Sequence, residues 1–411
     1  MVARVSMIEI RHVPESDFEQ IFELSDIVFH GRTDDAERGA RRWRFLLAHR
    51  IGAYDGDRLV GFMACLPLGM TVPGGTLGCS GVTFVAVLPT HRRRGVLTAM
   101  LDRLWSDLAE RGEPLAALYV SEAAIYGRFG FGAATRAISM EVATDRPLGL
   151  RVEPDPGPLR LIAPAEAAEV VGPLYGRAAT RRAGQFLRDG RWWAKSVLPE
   201  ADEEDDDLTA PRVVVLGEEP RGYAVYRAKQ GDDSIGVPGV VQLVELEADT
   251  AEAEAALWRY LASVDLTGRI RCWARPVDDL LPLLAADPDQ VIVTRTWPAL
   301  WLRLVDLEAA LTRRGWAREV EVVLEIRDEH IPANHGRWSL RAGPGGASCT
   351  RTDSAPDLTL AVRDLASAYL GDVPVRRLVA AGLAVEHTPG AAGRLDAALA
   401  TPAAPFAADQ F

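Results

Sequence analysis

The stretch "GVTFVAVLPTHRRRGVLTAML" (residues 81–101) decides how this chain reads. Val85 and Val87 alternate as on a strand, Pro89 ends the run, three arginines follow, and Gly95 precedes a helical pattern. That helix is expected from about Arg94 to Arg111, with Leu97, Leu101, Leu104 and Leu108 on one face and Gly112 as its stop. A strand that feeds a basic, glycine-containing helix start is an anion site by construction. The amides of the first helical turn have no intrahelical acceptor, they converge on one spot, and the helix dipole adds partial positive charge there. Arg92, Arg93 and Arg94 add side-chain charge, and Gly95 lets the backbone come close to a group the size of a pyrophosphate.

The rest of the composition narrows the class. A length of 411 residues predicts two or three domains. A formal net charge of -12 argues against nucleic acid as the partner and suits a cationic small molecule, although acidic balance also serves solubility alone. No run reaches the roughly 18 apolar residues of a membrane span. The opening "MVARVSMIEIRHVPESDF" is broken by charge too early for a signal peptide, so a cytoplasmic protein is expected. Cys65, Cys79, Cys272 and Cys349 are scattered without metal-ligand spacing, so neither a metal nor a disulfide framework is expected.

Outward from the arginine cluster, residues 1–148 alternate strand and helix patterns and predict an α/β or α+β domain with a mixed sheet. "IGAYDGDRLVGFMACLPLGMTV" reads as two strands joined at Asp55-Gly56, and "AAIYGRFGFGAATRAISMEV" as a short helix, a glycine turn and the domain's last strand. A proline-rich connection then leads into residues 149–290, which repeat the first pattern. "RVVVLGEEPRGYAVYRAK" again gives two strands around a turn, yet Glu247–Glu254 holds neither an arginine cluster nor a glycine. The second copy keeps the frame and lacks the cradle. The acidic run "PEADEEDDDLTAP" (199–211) is expected to be an exposed loop. Residues 291–411 read as a third, α+β region opening on "WLRLVDLEAALTRRG".

Arg92-x-x-Gly95-x-Leu97 resembles the acetyl-CoA signature of the GNAT acetyltransferases, with Leu97 in place of the usual final small residue. Taken with "SEAAIYGRFGFGAATR" and with "WPALWLRLVDLEAAL" leading to a chain that stops on phenylalanine, the whole sequence resembles the Eis (enhanced intracellular survival) family of N-acetyltransferases. The resemblance implies tandem GNAT domains, the second degenerate, followed by a sterol-carrier-protein-like α+β domain. It implies acetyl-CoA as co-substrate, with Val85, Val87, Arg92, Arg93, Gly95, Val96 and Ser121 as its contacts. It places the general acid on Tyr126 and the general base on the α-carboxylate of Phe411. It also implies a homo-hexamer acting on amines of cationic small molecules such as aminoglycosides, by direct transfer in a ternary complex.

For the substrate's ammonium groups Asp26 is the carboxylate named, with Glu122, Asp409, Asp34 and Asp35 as further possibilities. His91, beside the arginines, reads as a solvated loop residue. Two other readings stand beside this one: acetylation of peptide or protein lysines, and a CoA-binding sensor or scaffold without turnover.

Overall fold

Two long apolar strands, Arg58–Val72 and Gly75–Val87, pair antiparallel and form the spine of the first sheet. The computed structural model describes residues 8–202, 205, 207–232, 234 and 236–411, the side chain of Ala36 excepted. The start of the N-terminal stretch (1–7) and Glu203, Glu204 and Asp206 of the acidic run lie outside the described residues.

Among the described residues the strands form sheets of seven, seven and five members. The first runs Glu9–His12, His49–Asp55, Arg58–Val72, Gly75–Val87, Leu115–Tyr119, Leu300–Leu304, Gly132–Ala133. Its one parallel pair, Gly75–Val87 with Leu115–Tyr119, is joined by the helix Val96–Arg111. That helix buries Val96, Met100, Leu101, Leu104, Trp105 and Leu108, each worth about 1.5–3 kcal/mol when fully removed from water. Leu97, expected on the buried face, is instead half-exposed, while Gly112 ends the helix at φ 64° as its position suggested.

The second sheet runs Val291–Pro298, Arg136–Ala143, Thr267–Pro276, Gly239–Ala248, Gly222–Lys229, Arg212–Leu216, Leu159–Ile162. It repeats the design, with one parallel pair joined by the helix Ala251–Ala262. The third sheet, Gly346–Arg351, Gly336–Gly343, Val320–Arg327, Leu358–Ala361, Ala384–Glu386, carries the helices of residues 307–399.

The strand next to each parallel pair comes from an unexpected place. Arg136–Ala143, read as the last strand of the first domain, pairs with Thr267–Pro276 in the second sheet. Leu300–Leu304, within the stretch on which the third region opens, is a strand seated between Leu115–Tyr119 and Gly132–Ala133 in the first. The compact units are therefore discontinuous. One holds the chain up to Ala134, Leu300–Ala400 and Phe411; the other holds Thr135–Ala299 and Thr401–Gln410. Boundaries at 148 and 290 follow the composition of the linkers, whereas the units follow ladder pairing between residues far apart in sequence, which local pattern does not encode. Among the described residues no helix is long and apolar enough to cross a membrane.

Candidate active site

The site begins where the parallel pair comes apart. Cys79, Ser80 and Gly81 pair with Leu115, Ala116 and Ala117, and beyond Gly81 no parallel pairing continues. The edge of Val82–Val87 on that side is thereby opened to an extended ligand that can use its amides and carbonyls. A register slip against Phe62–Ala64 and a φ of 51° at Phe84 mark a bulge in this strand, and Thr83, Phe84, Val85 and Val87 are half-buried. The slip re-aims the side chains next to the split, a common use of bulges beside sites.

After Leu88 the chain makes a short turn, Pro89–His91, and then reverses its dihedral sign twice, at Arg93 (φ 60°) and Gly95 (φ 78°). Such alternation points successive amides toward one concavity, and the first turn of Val96–Arg111 adds its own. Gly95 is required here by its left-handed backbone rather than by space: a Cβ built on it meets nothing within 4 Å. The helix starts there without a side-chain cap, so no protein oxygen competes for its amides from that position. Arg92, Arg93 and Arg94 are exposed, and Arg92 donates from Nε to the carbonyl of Val87 at 3.2 Å.

His91 departs from the solvated reading. It is buried, with Nε2 3.3 Å from Asp55 Oδ2 and Nδ1 2.9 Å from Thr90 Oγ1, and it ties the turn to the strand hairpin beneath.

A cavity of about 990 Å³ opens over this cradle. Val85, Val87, Arg92, Arg93, Gly95, Val96, Ser121 and Tyr126 all line it, joined by residues the sequence reading passed over, among them Phe29, Arg128, Phe129 and His330. Tyr126 closes the helix Ala123–Tyr126 and is buried, its ring edge-on to Phe131 at 6.0 Å. Burial, aided by the Glu122 carboxylate, pushes its hydroxyl up to about 12, so the group stays a proton donor through the neutral range. The open loop, the exposed arginines and the unpaired strand edge suit a pyrophosphate carried on a long amide-containing arm.

Phe411 stands at the split itself. Its ring packs edge-on to Tyr119 at 5.5 Å and covers Gly81, where a Cβ would sit 3.0 Å from the ring. Gly81 is thus required for close approach.

The proposed ammonium ligands fare differently. Asp26 is not among the residues lining the cavity; its Oδ1 accepts from the amide of Thr33 at 3.0 Å and from its hydroxyl at 2.5 Å, holding the turn after Phe18–Phe29. Asp34 caps Asp35–Leu47 in a capping box with Glu37. Asp409 is buried in the second unit, where its carboxylate accepts from Arg188 at 2.9 and 3.0 Å and from Trp192 Nε1 at 2.7 Å, and so is spent on fixing the tail. Of the cavity-lining carboxylates, Glu122 and Glu329 are exposed.

Comparison with known proteins agrees with this geometry. Acetyltransferase (GNAT) domain families match residues 9–134 and 184–304, and a sterol carrier protein domain family matches 307–408. An uncharacterized N-acetyltransferase of Streptomyces avermitilis is 38% identical, covering 97% of this chain and 98% of its own length. N-acetyltransferase Eis of Mycobacterium tuberculosis is 35% identical over 94% of this chain and 95% of its own. The crystal structure of Eis1 from Mycobacterium abscessus superposes with a TM-score of 0.82 at 32% identity, covering 98% of this chain and all of that one. With two GNAT domains and a sterol-carrier-like lobe matched in order, and with Eis relatives aligned over nearly the whole length, the chain belongs to the Eis family of GNAT N-acetyltransferases.

Proposed function

We propose that this N-acetyltransferase acetylates amines of cationic small molecules, aminoglycosides among them, by direct transfer in a ternary complex. The observation that carries the reading is the single cavity in which the Arg93–Gly95 cradle and the protonated Tyr126 hydroxyl meet. Acetyl-CoA supplies the acyl group as a thioester. The edge of Val82–Val87 takes the amides of its pantetheine arm, and the Arg92–Gly95 loop with the amide of Val96 takes the pyrophosphate. Ser121, at the end of the strand after Tyr119, borders the same arm.

Tyr126 delivers a proton to the departing sulfur, a role its raised hydroxyl fits because it stays protonated at the operating pH. The α-carboxylate of Phe411 takes the proton from the attacking amine, in keeping with the seat of its ring at the strand split. Glu122, exposed at the cavity beside Tyr126, is the carboxylate we assign to a substrate ammonium in preference to Asp26. The same reading carries a cytoplasmic homo-hexamer, checked by sedimentation and cell fractionation.

The test is thiol release from acetyl-CoA with aminoglycosides, polyamines and lysine peptides, beside a variant lacking Phe411. Release that depends on small cationic amines and collapses in the variant supports the proposal. Release with peptides alone moves the substrate to protein lysines. Tight acetyl-CoA binding with no release to any amine makes the protein a sensor.

A further inference from the structure

We propose that the sterol-carrier-like lobe supplies part of the acetyl-CoA site, with His330 as the stacking surface for the adenine of CoA. The inference rests on the acetyl-CoA reading above and extends it to a residue more than 200 positions from the signature.

Glu329 and His330 line the cavity beside Arg128 and Phe129. The His330 ring lies 5.0 Å from Phe129, and its Nε2 donates to the carbonyl of Arg128 at 3.1 Å. Its Nδ1 is 3.9 Å from Asp102 Oδ1. Asp102 follows Thr98 by one helical turn, so the two share a face of the helix, and His330 stands past the helix start.

That position fixes which end of CoA it can meet. The pantetheine arm lies before the helix start, along Val82–Val87, and the pyrophosphate lies at it. The nucleoside continues beyond, over the half-exposed Leu97 and Thr98, to the corner made by Arg128, Phe129 and His330. This corner has the chemistry a purine uses: an imidazole whose side chain is 20% exposed, and the exposed Arg128 guanidinium 4.8 Å over the Phe129 ring.

The loop is also held rigidly. Asp328, buried, accepts from the amides of His330 and Ile331 at 3.1 Å each and from Asn334 Nδ2 at 3.1 Å. It also receives Arg303 Nη2 on both oxygens at 2.7 Å. Arg303 lies on Leu300–Leu304, the strand seated in the first sheet, so the sheet itself sets where His330 stands.

The experiment measures dissociation constants of the full-length protein for CoA and for S-acetyl-4′-phosphopantetheine, which lacks the nucleotide, by calorimetry. The variants are His330→Ala and His330→Gln; the glutamine keeps a donor toward the Arg128 carbonyl and removes the ring. Loss of one base stack predicts about five- to tenfold weaker CoA binding in both variants. Binding of the fragment is expected to change less than twofold. Wild-type CoA binding in His330→Gln overturns the stacking role, because it reduces His330 to a clamp on the Arg128 turn. Equal weakening of both probes overturns it as well, by making the effect structural. A wild-type protein that binds neither probe removes the acetyl-CoA reading itself, which is a different failure from either of these.

Discussion

The molecule contains the same cleft twice, and only one of the two is built to hold an anion. In both units a parallel strand pair opens and a helix follows the first of the two strands. In the first, the helix begins at an uncapped, left-handed Gly95 after three exposed arginines. In the second, Thr250 caps the helix by accepting from the amide of Ala253 at 3.2 Å, and the first turn carries Glu252 and Glu254. A cap satisfies the amides an anion would use, and acidic side chains reverse the charge that would attract it. The second cleft is also smaller, about 360 Å³, and is lined by Glu247, Glu254, Arg275 and Asp279 together with Pro402, Ala403 and Phe406 of the tail. Arg275 there donates to Asp279 Oδ2 at 2.6 Å and to the Leu246 carbonyl at 2.9 Å. A helix start is thus an anion site only when its amides are left free and its neighbours are not acidic; the strand frame alone does not make one.

Damage to the first cleft should therefore appear as lost chemistry or binding, and damage to the second as lost stability. Tyr126→Phe removes the proton donor and is expected to lower kcat about a hundredfold with acetyl-CoA affinity within twofold of wild type. With the Tyr126 hydroxyl held near 12, the wild-type rate should show no loss from this group as pH rises toward 10. A basic limb below that pH that vanishes in Tyr126→Phe would show that the hydroxyl is not held near 12. Gly95→Val forces a β-branched residue into a left-handed conformation, and calorimetry should show acetyl-CoA binding weakened about tenfold or more. Wild-type affinity in that variant would break the contrast between the two helix starts.

Arg275→Ala leaves the buried Asp279 carboxylate of the second cleft without its cation. It should cost about 3–5 kcal/mol in denaturant unfolding while leaving acetyl-CoA affinity unchanged. The smallest effect concerns Glu247, whose carboxyl is pushed up to about 7 by burial and by the neighbouring Glu245. A carboxyl raised on folding stabilises the protonated folded form, so this contribution is present below the unfolded value and is lost as pH rises through about 7. The melting temperature of wild type should fall by a few degrees relative to Glu247→Gln between pH 5 and 8. Parallel curves for the two proteins would show that Glu247 is not held protonated.

Much of the lining of the candidate site was legible because its signal is local. The strand, the arginines, Gly95 and the helix occupy one stretch, and each has a backbone reason to stand where it does. Tyr126 needed the family resemblance, since a tyrosine beside Phe129 and Phe131 reads equally well as packing. His330 left no local mark: "RDEHIPANHG" resembles any polar loop, and its relevance comes from a pairing through Arg303 and Asp328 that spans the sheet and the lobe. Asp26, Asp34 and Asp409 were visible as carboxylates, but their partners, Thr33, Glu37 and Arg188, are what decide their roles, and partners are a property of the fold. Of the two exchanged strands, Arg136–Ala143 was read as a strand and assigned to the first domain, while Leu300–Leu304 was read only as the opening of the third region.

Those strands bear on how the protein can be cut and rejoined. The amide of Ala134 donates to the carbonyl of Leu300 at 2.9 Å, and the amide of Ala299 donates to the carbonyl of Thr135, also at 2.9 Å. Residues 135–299 therefore enter and leave through two chain segments that stand side by side, the arrangement of a guest inserted into a host. An excision at 148 and 290 would take Thr267–Pro276 away from Arg136–Ala143 and leave that strand paired with Val291–Pro298 alone, whereas a splice of Ala134 to Leu300 through a short turn follows a seam that already exists. The degenerate repeat is, in engineering terms, a cassette with two hydrogen-bonded sockets, and because residues 401–410 belong to its unit, with Asp409 seated on Arg188, any replacement must also receive the tail.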